Sequence, residues 1–115
     1  MAISDSFRKR IVTIMDEYLN KTRPPVHLRE KLDIGYRIEN QSVEIFEIRP
    51  AFLNPSLKTK QPIAKATYVK RSGIWKIYWM RADLKWHRYE PIPATDNLES
   101  FLSVIEDDDY CCFFG

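Results

Sequence analysis

The sequence predicts an α+β domain: an antiparallel sheet of four to five strands in two layers, element order α-β-β-β-β-α, with both helices on one face of the sheet. Two observations carry this. Apolar residues recur with a period near 3.6 close to each end of the chain, and between them, from Gly35 to Tyr89, the period drops to two and is broken by turn residues. A chain of 115 residues supports one core, so a single domain over residues 1–115 is expected.

The first helix is expected from about Ser6 to Asn20. Ser4, Asp5 and Ser6 are all competent N-caps, and Phe7, Ile11, Ile14, Met15 and Tyr18 form one apolar stripe. Arg23-Pro24-Pro25 ends it, because proline excludes helical geometry from the residue before it. A connector with one helical turn around His27 to Lys31 follows. Tyr36 and Ile38, then Val43 and Ile45, with Phe46 and Ile48 on the other parity, predict a hairpin across Glu39-Asn40-Gln41. Asn54 to Pro62, with two prolines, reads as a loop, after which Ala64 to Arg71 resumes strand composition and Ser72-Gly73 supplies a turn with glycine at a positive φ.

Ile74 to Met80 is the strongest strand. Trp75, Ile77 and Trp79 on one parity and Ile74, Tyr78 and Met80 on the other make it central, with the tryptophans facing the helices. Leu84, Trp86 and Arg88 alternate with Lys85, His87 and Tyr89 in an edge strand ended by Pro91 and Pro93. Asp96 with Glu99 reads as a capping box, and Leu98, Phe101, Leu102 and Ile105 are the stripe of a second helix ending near Glu106. In the tail, Phe113 and Phe114 are expected to dock on the body, since exposed phenylalanines are costly.

Apolar residues make up 44% and charged residues 30% of the chain, the balance of a folded domain. The uncharged apolar runs are a few residues long, far short of a spanning helix, so no membrane partner is expected. The opening MAISDSFRKR lacks the order of a secretory signal, and the adjacent Cys111 and Cys112 offer no disulfide framework; both suit the cytoplasm. The net charge of +2 conceals polarity along the chain. Residues 1–50 carry nine basic and eight acidic side chains, residues 51–90 nine and two, and residues 91–115 none and six. Such a basic middle attracts an external polyanion unless the acidic tail neutralises it within the molecule.

Several blocks together carry a resemblance: Arg23-Pro24-Pro25, the run Ser42 to Pro50 (SVEIFEIRP), Ala64 to Tyr68 (AKATY), Trp75 to Trp86 (WKIYWMRADLKW) and the ending Cys112 to Gly115 (CFFG). Over nearly the whole chain the sequence resembles a bacterial family known as domain of unknown function 3024. The resemblance implies a stand-alone bacterial cytoplasmic domain and carries no catalytic or binding residue with it. The family pattern has glycine where this chain has Cys111.

The stretch from Lys65 to Tyr89 interleaves cations with aromatic rings, the combination by which small sheets hold phosphates and stack bases. The candidate nucleic-acid-binding residues are Lys70, Arg71, Lys76, Arg81, Lys85, Trp86 and Arg88, with Tyr78 and Tyr89 as further exposed platforms; the alternative is a merely solvated basic face. A second function class is a protein-interaction module using a strand edge or the C-terminal tail. A third is a Mg²⁺-dependent nuclease in which Glu44 or Glu47 joins Asp83, with Lys85 orienting water, although Asp83 is better read as a turn residue bonding its own backbone.

His27 and His87 have no ligands at metal spacing, the aspartates before Cys111 and Cys112 oppose thiolate formation, and three glycines do not provide a phosphate-binding loop. The expectation is therefore no catalytic residue, no metal and no cofactor. Arg23, Arg29, Arg49 and Arg81 are read with Glu44, Glu47 and Asp83 as an ion network, structural or anion-clamping.

Overall fold

The computed structural model describes residues 3–108 and residue 113. Helix α1 spans Asp5–Thr22 and helix α2 Leu98–Asp107, and the strands are β1 Asp33–Glu39, β2 Ser42–Pro50, β3 Lys58–Val69, β4 Ile74–Met80, β5 Trp86–Arg88 and β6 Ala94–Thr95. All pairings are antiparallel in the order β1-β2-β3-β4-β5, and β6 also pairs with β4. This is the expected α+β arrangement, with one more strand at the end.

Ser4 caps α1 by accepting the Phe7 N–H, and the helix stops at Thr22 because Arg23, which precedes a proline, is extended. Ile11, Met15 and Tyr18 from α1 and Leu98, Phe101, Leu102 and Ile105 from α2 are buried in one cluster with Val43, Ile45, Ala64, Ala66, Trp75 and Ile77. In register, Val43 faces Ala66 and Ala66 faces Ile77, so these strand residues share one side of the sheet. Both helices cover that side. Trp79 has the expected parity but is only half-buried, with the guanidinium of Arg81 stacked 5.4 Å from its ring.

Five expectations need correction. Lys58 to Pro62 is strand, not loop. Pro62 is tolerated there because β4 pairs with β3 only from Ala64 onward, and because a bulge between Ile45 and Phe46 relaxes the ladder opposite it. Leu84 lies outside the last hairpin strand: it sits in the turn at φ 61 and is exposed, and β5 starts at Trp86. Pro91 and Pro93 interrupt the pairing without ending it. The Tyr89 N–H bonds to the Ile77 carbonyl, the Ile77 N–H to the Pro93 carbonyl, and the chain rejoins β4 as β6. The cap of α2 lies one residue later than expected: Asn97, not Asp96, accepts the Ser100 N–H at 2.8 Å.

At the end of α2, Asp108 is left-handed at φ 41 and its carboxylate accepts the Phe113 N–H at 3.0 Å. Phe113 is buried with its ring 4.9 Å from that of Tyr89. Tyr89, expected as an exposed platform, is instead a core residue, because its parity turns it to the helix side. The expected docking of Phe114 and the roles considered for Cys111 and Cys112 lie outside the described residues.

Candidate functional site

Among the described residues, no helix covers the other side of the sheet. In register, one row across it reads Arg37, Glu44, Lys65, Tyr78 and Arg88, from β1 to β5. The next row reads Glu39, Ser42, Thr67, Lys76 and Ala94. On the other flank, Gly35 faces Phe46 and Met80 faces Trp86. Among these, Arg37, Lys76 and Arg88 are exposed and Tyr78 and Trp86 half-buried.

The ammonium of Lys65 lies 5.2 Å from the Tyr78 ring and 4.9 Å from the Trp86 ring, so one cation is held against two aromatic faces on three adjacent strands. Lys60 sits similarly, 5.0 Å over Phe46. Arg37 forks onto the buried Glu44 with bonds of 3.2 and 3.3 Å, and that hydrogen-bonded carboxylate raises the arginine pKa above its ordinary value. Glu44 is thus the acid that the face neutralises internally. Beside Tyr78, a cavity of about 260 Å³ is lined by Ile74, Lys76, Tyr78, Arg88, Pro93 and Ala94.

The structure divides the candidate residues. Lys76, Trp86 and Arg88 come together on the open side. Lys70 and Arg71 lie in the turn after β3, and Lys70 lines a cavity with Phe7 and Arg10 of α1, on the helix side. Arg81 stacks on Trp79, which also faces the helices, and Lys85 belongs to the turn before β5. The missed member is Lys65, inside the basic and aromatic stretch; it lies against Tyr78, which was expected as an exposed platform and is half-buried. Only the register shows that they stand next to Trp86 and Arg88.

The acidic groups separate too. Glu44 points to the open side and Glu47, by register with Ile34, to the helix side, where it pairs with Arg49 at 2.8 Å. Asp83 is in the turn as expected, accepting the Lys85 N–H at 3.0 Å and held 2.8 Å from His87. The His87 bond and then the Lys85 N–H keep its pKa below the ordinary aspartate value. Glu47 lines a small cavity with Arg81, Ala82 and Leu84, to which Asp83 does not contribute. Among the described residues, no three or more His, Cys, Asp or Glu side chains gather as a metal site would require. The expected ion network resolves into separate pairs: Arg23 with Asp33, Arg37 with Glu44 and Arg49 with Glu47; Arg29 donates to the Pro24 carbonyl.

Comparison with known proteins returns one family. A family model described as Domain of unknown function (DUF3024) matches residues 3–115, essentially the whole chain. Neither the curated proteins nor the solved structures contain a match.

Proposed function

Since the chain belongs to the family described as Domain of unknown function (DUF3024), whose description states no activity, we propose from the site alone that the open sheet face binds a polyanion, single-stranded nucleic acid, without catalysis. The observation that supports this is the juxtaposition of Lys65, Tyr78, Trp86 and Arg88, with Lys76 one row away. Aromatic faces stack bases of any sequence, and cations beside them neutralise phosphates. The face offers both, and of its acids among the described residues the buried Glu44 is already paired with Arg37, while Glu39 is exposed at the β1 edge.

The acidic end of α2 bears on the same reading. Phe113 docks beside Tyr89 on the helix side, which keeps this described part of the tail off the open face. Fluorescence anisotropy with labelled single- and double-stranded oligonucleotides, at low and physiological salt, is the test. Single strands are expected to bind more tightly, with affinity falling steeply as salt rises. Lys76→Glu with Arg88→Glu, both exposed, should abolish binding and leave the melting temperature unchanged. No binding at low salt defeats the proposal.

A further inference from the structure

We propose that the loop joining β2 to β3 is a membrane-surface contact, inserting Phe52 and Leu53 into the interface of an anionic bilayer. Phe52 is 96% exposed and Leu53 92%, and Leu57 in the same loop is 60% exposed. β1 ends its pairing at Asp33 opposite Ile48, so Arg49 and Pro50 pair only with Thr59 and Lys58. The loop therefore stands beyond the sheet on a two-stranded ribbon. Its conformation is fixed from within: the Ala51 N–H bonds to the Leu57 carbonyl at 2.9 Å, the Leu57 N–H to the Asn54 carbonyl at 3.0 Å, and the Asn54 side chain accepts the Ser56 hydroxyl at 2.6 Å. The apolar side chains are displayed on an ordered tip, which lowers the entropy lost on binding.

Shape and charge select the occupant. A convex tip whose apolar side chains are uncovered suits a fluid medium that closes around it. A protein groove would have to be shaped for it. Lys58 pairs with Pro50, two residues before Phe52, and Lys60 pairs with Ile48, two strand positions or roughly 7 Å further back at the usual strand rise. Side chains at an interface enter to a depth of about 5–10 Å, which brings Lys58 to the level of lipid phosphates. From Ile48 to Ala82 the sequence contains no acidic residue; an acid that comes near from outside this segment is Glu30, whose backbone carbonyl accepts the Lys58 ammonium at 2.6 Å. The shortness of the apolar runs excludes a spanning helix, not a surface contact.

The test is co-sedimentation of the full chain with phosphatidylcholine vesicles, with and without phosphatidylserine. Sedimentation is expected only with phosphatidylserine and should weaken with salt. Phe52→Ser with Leu53→Ser should reduce partitioning by roughly 100-fold, about tenfold for each side chain, with an unchanged melting temperature. Lys58→Glu with Lys60→Glu should remove the preference for phosphatidylserine, and Lys76→Glu with Arg88→Glu, on the open face, should sediment as wild type. The proposal is overturned if the wild type stays in the supernatant, if the tip variant sediments normally, or if the open-face variant loses binding. Self-association abolished by the tip substitutions, without vesicle binding, would assign the tip to a second copy of the chain instead.

Discussion

The guanidinium of Arg23 donates to both carboxylate oxygens of Asp33, at 2.8 and 2.6 Å, and so fastens the residue that ends α1 to the residue that opens β1. Asp33 also accepts the Ile34 N–H at 2.8 Å. The Arg23 bonds, with help from that N–H, hold the Asp33 pKa below its ordinary 3.8 even though burial pushes the other way. A carboxyl whose folded pKa is depressed contributes stability above its unfolded value and loses it as pH falls through the folded one. Wild type should therefore lose stability from about pH 4 downward. Asp33→Asn should be less stable at neutral pH and show a flatter acid limb, read by urea melts from pH 7 to pH 2.

Phe113 is the fastening of the tail. Its ring is buried against Tyr89 and its N–H is held by Asp108. Phe113→Ala should cost about 3 kcal/mol, the lower end for a buried phenylalanine, because the site lies where the chain end can partly relax. Asp108→Ala, which removes only the bond fixing the turn, should cost about 1 kcal/mol. Equal losses in denaturant melts would show that the turn, not ring packing, holds the tail.

Gly35 is required by a close approach rather than by its backbone angles. A Cβ placed there would meet the Phe46 ring at 2.8 Å, and that ring is held between the glycine and the Lys60 ammonium. Gly35→Ala should cost about 1–3 kcal/mol through displacement of Phe46. Pairing it with Phe46→Leu should recover part of the loss, and a double-mutant cycle measures the coupling.

Much of the fold was legible in the sequence because the signals were periodic and long. The stripe Ile11, Met15 and Tyr18, the stripe Leu98, Phe101, Leu102 and Ile105, and the alternation through Trp75 and Ile77 all lie buried as their spacing requires. Turn chemistry was equally readable: Gly73 sits at φ 67 in the turn before β4. What the sequence concealed was short or local. β6 is two residues long, too short for any period, and Lys58 to Pro62 carries turn-like composition yet pairs with β2 because its proline falls where β4 is absent.

The candidate site shows the same division. Its residue types were visible in the stretch from Lys65 to Tyr89, and Lys76, Trp86 and Arg88 were among those singled out. By itself, the sequence determined the two helices, the central strand, the helix-facing core and the polarity of charge along the chain, because each depends on spacing within one segment. Only the tertiary structure decided that Lys65 rests on Tyr78 and Trp86, that Lys70 and Arg81 turn to the helix side and that Tyr89 is buried by Phe113. These depend on the register between strands and on where the tail returns, and register is fixed by the summed packing of all the strands against the helices, which no single segment encodes.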